Sequence, residues 1–436
     1  MLDLMQVLKA AKGLPVTDTA SRLTGMKAAA PVIYGWHVDP SVSDPAQAVT
    51  YLADAVGKTP AAMGEDSFSY GSWKSAFFMP RPCMLGYDGK VAYYLDPYDY
   101  SRKLDGTPSD IANADFEGNA MMEWGLIWYK FEAGNSAGEG DFYVSDRQVD
   151  SSYKCWCNID ANGNISPHFY TAIYNGTGTS KLRSLSGIAL TAANGANKMT
   201  YSQALSKAVA NDPEDMTIWG VDLYSDWQLI AALLVLMGKS LDMQTVFGKG
   251  LSVTSEAELS ECVTGSLNDK GLFFGDTSGY DSAVKVFGME NRWSPLYRHL
   301  SGISTVSGVD SARVKLTYGT SDGSSVTGFA NVQPQNYINT QVSLPSTETQ
   351  SNAFIKKMTF GSFGIMPSET NGSPDTYYCD RLSYWGYESP GYFMIGGTNN
   401  NKEGRNGAFS FDEINSVVST WTIGAALSCK PLCGVS

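Results

Sequence analysis

Apolar and polar positions change over along this chain in short blocks, and most blocks have the length of strands. Residues 77–79 (Phe-Phe-Met), 83–85 (Cys-Met-Leu) and 91–95 (Val-Ala-Tyr-Tyr-Leu) predict strands, and Asp88-Gly89 between the last two predicts a hairpin turn. Residues 121–131, MMEWGLIWYKF, predict one strongly apolar strand with 141–146 as its partner. A turn at Asn162-Gly163 separates two further apolar runs, 153–159 and 168–174, and shorter mixed runs occur at 271–274 and 284–287. Between 307 and 367, alternating runs at 312–318, 326–332, 338–344 and 355–360 are parted by Gly, Ser and Asn, which predicts a β-sheet insertion.

Helical spacing is confined to a few places. Leu2, Met5, Leu8 and Leu14 predict an N-terminal helix that attaches or oligomerises, followed by a small polar linker over 17–27; a frayed terminus is the competing reading. Asp44 and Pro45 suit an N-cap and first helical position, predicting a helix over 44–56 that Gly57 ends. Residues 201–210 predict a short helix. Residues 222–237 predict a longer one, with Trp227, Ile230, Leu233, Leu234 and Met237 on one buried face and Gly238 at its end. Asp222 and Asp226, one turn apart on it, read as capping and surface residues.

The stretch 377–430 mixes two kinds of sequence. Residues 392–397 (YFMIGG), 407–409 (GAF) and 421–427 (WTIGAAL) read as core, with Trp421, Ile423 and Leu427 buried and Gly396-Gly397 in a tight backbone arrangement. Between them lie polar segments carrying Arg381, Tyr384, Trp385, Tyr387 and Glu388, then Asn399 to Arg405, then Asp412 and Glu413. Two readings of these segments stand on residue chemistry: loops on a rigid frame that present a binding surface, or plain surface loops at the end of a β-rich domain.

Composition narrows the partners. A net charge of -13 argues against nucleic acid, which requires a basic face, and against an anionic membrane surface. The longest apolar run, 229–237, is too short to span a bilayer, so no membrane insertion is expected. The first fifteen residues lack the pattern of a secretory signal. Seven scattered cysteines, an odd number, predict reduced thiols of a protein folded in the cytoplasm, not a disulfide framework.

Candidate chemistry is sparse. His37, His168 and His299 have no metal-ligand spacing and read as hydrogen-bonding residues. No nucleophile elbow or phosphate-cradling loop occurs. Asp160-Ala-Asn162-Gly-Asn164 begins like a calcium loop, but Ile165 stands where such a loop needs Gly, so a hairpin turn is the better reading. The run Asp96, Asp99, Asp105 and Asp110 reads as a solvated loop, with calcium as the rarer alternative. No cofactor and no catalytic residue is expected.

Tyr377-Tyr-Cys-Asp380, Ile395-Gly-Gly397, Gly407-Ala-Phe409, Trp421, Ile423-Gly-Ala425 and Leu427-Ser428, taken in order, resemble the variable region of C-type-lectin-fold target proteins of diversity-generating retroelements. Such proteins occur in phages and prophages and often serve as tail receptor-binding proteins. GWHVDPSVSDPAQAVTYLADAVG (35–57), GNAMMEW (118–124), LLVLMGKS (233–240) and VKLTYGTSDGSS (314–325) also resemble prophage proteins of this kind, so the likeness runs from about residue 34 onward. It implies an α+β fold: a short N-terminal helical attachment segment (1–35), then a large C-type-lectin-type, formylglycine-generating-enzyme-like domain (36–436). That domain would hold the β insertion at about 307–367 and a variable-type binding region at 377–430.

The resemblance further implies that Arg381, Ser383, Tyr384, Trp385, Tyr387, Glu388, Thr398, Asn400, Lys402, Arg405, Asp412 and Glu413 converge on one exposed ligand-binding face. The implied ligand is a host cell-surface protein or glycan. Other tail proteins would bind through the N-terminus, and the chain would form a homo-oligomer such as a trimer, placed in the virion after synthesis in the bacterial cytoplasm. The same resemblance carries two rivals. One is a cysteine-dependent oxidase similar to the formylglycine-generating enzyme, for which Cys379, Cys429 and Cys433 are the candidates, although they match no active-site motif. The other is a purely structural virion protein.

Overall fold

The computed structural model describes residues 30–64, 67–306, 309–329, 334–348, 353–386, 390–397 and 406–433. The expected N-terminal helix lies outside these residues, and the described elements all belong to one compact unit, Ile33–Ser436. Among the described residues, the elements of the first third are strands: β1 (Ile33–Val38), β2 (Val49–Ala53), β3 (Ala62–Met63), β4 (Phe68–Ser69), β5 (Arg81–Gly86), β6 (Val91–Asp96), β7 (Asp99–Lys103), β8 (Gly118–Trp124), β9 (Trp128–Ala133) and β10 (Gly140–Ser145). The middle brings in the helices: β11 (Phe169–Ala172), α1 (Tyr201–Val209), β12 (Trp219–Val221), α2 (Tyr224–Gly238), α3 (Met243–Phe247), α4 (Glu256–Glu261), β13 (Lys285–Val286) and β14 (Met289–Glu290). The last part returns to strands: β15 (Tyr297–Val306), β16 (Val309–Val314), β17 (Ile338–Ser343), β18 (Ile355–Gly361), β19 (Gly364–Thr370), β20 (Leu382–Ser383), β21 (Gly391–Ile395), β22 (Phe411–Ile414), β23 (Ile423–Gly424) and β24 (Leu427–Cys429).

The architecture is β-rich with few helices. One sheet has the order β2-β1-β10-β9, a second β12-β24-β11-β8-β5-β6-β7, and a third β17-β16-β15-β21-β22-β20, with β23 alongside the start of β15. The segment expected as an insertion is divided. β16 and β17 extend the sheet that holds β21 and β22, whereas β18 and β19 form a ribbon of their own. Residues 326–329 carry no strand.

At the centre is α2. Its sequence is apolar on every side, and the fold buries every residue from Tyr224 to Met237, not one face. Three long-range hydrogen bonds fasten it. Trp36 Nε1 donates to Ala232 O at 2.9 Å, Trp227 Nε1 donates to Ala408 O at 2.9 Å, and Tyr224 Oη donates to Ile365 O at 2.8 Å. The helix ends where Lys239 takes a left-handed conformation (φ 50°), with Gly238 as its last helical residue. Asp222 and Asp226 are not surface residues. Both are buried and ion-paired, Asp222 with Arg292 at 2.7 Å and Asp226 with Lys430 at 2.5 Å. The spacing of the two carboxylates could not reveal partners supplied from so far along the chain.

Other expectations are corrected by packing. Asp44 does cap a turn, accepting from Ala46 N and Gln47 N at 2.9 and 3.2 Å, but the helix goes no further. Val49 and Tyr51 instead point into the core and β2 pairs with β1, because a β-branched and aromatic run gains more from that half-buried sheet. The run 121–131 is two strands in two sheets. The break at 125–127 is held by buried Asn158, whose Nδ2 donates to Gly125 O at 3.2 Å and whose Oδ1 accepts from Ile127 N at 3.4 Å. Phe77 and Phe78 lie in turns, and 153–159 includes a short 3-10 turn, Trp156–Asn158. Ile423 and Leu427 are buried as expected, but Trp421 is only half-buried, against the small cluster of Leu190, Ala196 and Val253.

Candidate functional site

The register of the third sheet decides which C-terminal residues can meet. β20 and β22 run parallel, with Leu382 beside Phe411 and Ser383 beside Asp412. β21 runs against β22, with Tyr392 opposite Ile414 and Ile395 opposite Phe411. β15 runs against β21, with Thr305 opposite Gly391. Ser383, Glu413, Gly391 and Thr305 therefore share one end of the sheet. Gly397 and Asn406, which flank the segment carrying Thr398, Asn400, Lys402 and Arg405, follow Ile395 and precede Phe411 at the opposite end. The described anchors of the two loop regions therefore lie at opposite ends of the frame.

At the Ser383 end, an indole is set in place by a buried carboxylate. Glu413 Oε2 accepts from Trp385 N at 3.1 Å and Gly386 N at 2.8 Å, while Oε1 accepts from Thr305 Oγ1 at 3.3 Å. Trp385 Nε1 donates to Ser383 Oγ at 2.9 Å, which fixes the ring, and the side chain is 46% exposed. Gly391 is required here, because an added Cβ would stand 2.2 Å from Thr305 Oγ1 and 2.3 Å from Glu413 Oε1. Tyr384 points the other way. It is 5% exposed within the main core, and its backbone is clamped by Thr347, whose Oγ1 accepts from Tyr384 N at 2.8 Å and whose N donates to Tyr384 O at 2.8 Å.

The predicted residues therefore separate into kinds. Trp385 is exposed and Arg381 half-buried; Ser383, Tyr384, Asp412 and Glu413 are buried. The physical reason is the strand period: both faces of β20 and β22 are covered, so their polar residues point into packing and act as internal acceptors. Burial pushes the Asp412 carboxyl up to about 6, against the opposing pull of Arg381, Ser383 and Ser410. Tyr387, Glu388, Thr398, Asn400, Lys402 and Arg405 lie outside the described residues. Sequence reasoning missed Thr305 and Thr347, which support the indole loop from 108 and 37 positions away from their partners; no local signal marks them.

The opposite end is organised by Asp380. This buried carboxylate accepts from Phe409 N at 2.7 Å and from Gln244 Nε2 at 3.1 Å, and a Cβ on Gly407 would lie 2.7 Å from its Oδ1. Gly396 and Gly397 have positive φ, and both carbonyls accept from Ser294 N at 3.1 Å, the tight arrangement expected of them.

The remaining candidates have local roles. Asp160 holds its own turn, accepting from Asn162 N and Asn164 N at 2.9 and 2.8 Å, and it also accepts from Cys433 N. Asp96, Asp99 and Asp105 each accept from a backbone N–H two residues on. His37 Nδ1 lies 2.7 Å from Asp141, and His299 is buried with Nε2 2.8 Å from Met199 O. None of the seven cysteines is in a disulfide. Burial raises the Cys379 and Cys429 thiols, the reverse of what a reactive thiolate needs. Among the described residues, no group of three or more His, Cys, Asp or Glu side chains could hold a metal ion, and no helix is long and apolar enough to cross a membrane. Comparison with protein-family models finds none that matches, and comparison with curated proteins finds no match.

Proposed function

We propose that the chain is a receptor-binding protein of a phage or prophage tail, with a C-type-lectin-type domain whose C-terminal region contacts the host surface. The observation that carries this reading is Trp385. An indole left 46% exposed, with its backbone held by Glu413 and its ring by Ser383, is a preorganised contact, and rigid aromatics of this kind supply most of the energy at binding hot spots. The β-rich frame and the resemblance of the 377–428 motifs point the same way. The pairing of Asp380 with Gly407 and Phe409 links two of those motifs. The raised thiols of Cys379 and Cys429 weigh against the oxidase reading. Several copies on one tail would turn a weak single contact into avidity, which favours a homo-oligomer.

The test uses labelled protein and host bacteria. Wild type should bind cells saturably, and Trp385→Ala should bind roughly 30-fold more weakly, about 2 kcal/mol, with an unchanged melting temperature. Equal binding by the two proteins would remove the C-terminal surface from the reading.

A further inference from the structure

Two clefts open on a part of the surface that shares no residue with the Trp385 loop. The larger has a volume of about 860 Å³ and the smaller about 570 Å³, and Phe274 and Ser282 line both, so the two lie side by side. Volumes of this order admit organic ligands of several rings.

The floor of the larger cleft is aromatic. Phe68 stacks on Phe273 at 4.4 Å, and Tyr70 meets Phe273 edge-on at 5.6 Å, which roots the floor in the core. Tyr98 lines the same cleft. Its backbone N–H donates to Asp96 Oδ1 at 2.8 Å, and its ring lies beside Gly271, where an added Cβ would be 4.0 Å from Cδ1. Tyr98 is 64% exposed, so its backbone is held by Asp96 while its ring is presented largely to solvent.

The polar lining is rich in acceptors. Asp269 and Asp276 border the larger cleft, and Glu258, Glu261 and Asp281 the smaller. Lys270 is the one basic residue among the described lining residues; its ammonium lies 3.6 Å from Asp269 and 5.7 Å from the Phe274 ring centre. In the smaller cleft Asn291 is 6% exposed, and its Oδ1 finds no donor among the described residues. That oxygen is closed off from the cleft, so it marks a polar wall behind the groove and not a contact for a ligand.

A matching ligand donates many hydrogen bonds, carries no negative charge and offers flat C–H faces to aromatic rings. Sugar hydroxyls donate to carboxylates, and the slightly positive C–H face of a pyranose complements the negative face of an aromatic ring. Chains bearing phosphate or carboxylate meet the acidic rim as like charges. A basic peptide is the competing occupant of such an acidic rim, and oligolysine distinguishes it in the test. We propose that this groove binds a neutral oligosaccharide.

The test is calorimetric titration of the full chain with short uncharged oligomers of glucose, mannose, galactose and N-acetylglucosamine, with oligogalacturonate and oligolysine as charged probes. At least one uncharged series should bind, with oligogalacturonate silent. Tyr98→Ala and Asp269→Asn should each weaken that binding by roughly tenfold or more, with unchanged melting temperatures because both sites are exposed. Trp385→Ala should bind sugar like wild type, which separates this proposal from the cell-binding one. The proposal is overturned if no uncharged oligomer binds at roughly millimolar concentration, or if binding survives both groove substitutions. It is also overturned if Trp385→Ala abolishes sugar binding, or if oligolysine alone is the Tyr98-dependent ligand.

Discussion

Trp385 and Tyr384 are neighbours in sequence and opposites in environment, so the same substitution should read differently in each. Trp385→Ala removes a ring that is 46% exposed; its stability should shift by less than about 0.5 kcal/mol while cell binding falls. Tyr384→Ala empties a core position and should cost about 3–5 kcal/mol, visible as a lower denaturant midpoint, with cell binding lost only as folded protein is lost. Glu413 links the two behaviours, since it is buried yet serves the exposed loop. Glu413→Leu keeps most of the bulk but removes both acceptor oxygens, so Trp385 N, Gly386 N and Thr305 Oγ1 lose this partner. A loss of about 1–3 kcal/mol is expected, and amide hydrogen exchange at Trp385 and Gly386 should speed up. Unchanged exchange there would show that the carboxylate does not hold the loop.

At the scale of elements, what was legible in the sequence is what local chemistry decides. Asp88-Gly89 made its hairpin turn, with Gly89 at φ 76° between β5 and β6. The helix expected over 201–210 appears as α1, with Thr200 and Gln203 forming a capping box. What misled was chemistry that a distant segment overrides. The Asp44 cap began a turn that β1 converted into a strand, and MMEWGLIWYKF was cut by Asn158 from another loop. Part of the candidate site was misread in the same way: Ser383, Asp412 and Glu413 were legible as polar, but that a covered sheet would bury them was not. One titration belongs at this scale. His299, inside β15, is held neutral by burial, its pKa pushed down to about 4 from 6.5. Between those values the unfolded chain takes up a proton that the folded chain refuses, so this stability is lost as pH falls from about 6.5 to 4. Asp412 in β22 acts in the opposite sense. Its carboxyl is raised from 3.8 to about 6, so its stabilisation is full below about 3.8 and is lost as pH rises through 6. Asp412→Asn should therefore make melting temperature fall more steeply from pH 6.5 to 4 than in wild type, and should raise stability at pH 7 by up to about 3 kcal/mol. Parallel slopes for the two proteins would show that Asp412 titrates normally.

For the whole molecule, buried charge ties the two seven-stranded sheets to the central helix. Asp222, just before α2, meets Arg292 at 2.7 Å and Arg298, at the start of β15, at 3.3 Å. Asp226, in the first turn of α2, accepts from Lys430 Nζ at 2.5 Å and Ser428 Oγ at 2.8 Å, across 204 and 202 positions of sequence. Lys430 immediately follows β24, the strand that sits between β11 and β12, and its ammonium lies 4.4 Å from the Phe169 ring centre. The pair therefore fastens the last strand of the chain to its centre. Removing one partner of such a buried pair leaves a charge with neither water nor counter-ion, whereas removing both leaves an apolar contact of similar size. Lys430→Met should accordingly cost about 3–5 kcal/mol in denaturant unfolding. Asp226→Asn combined with Lys430→Met should recover most of that loss, because the amide still accepts from Ser428 and no lone charge remains. If the double variant is as unstable as the single, the stabilisation comes from the cation over Phe169 and not from the ion pair. If it recovers, the last described strand is fastened to the central helix by a link that packing alone can replace.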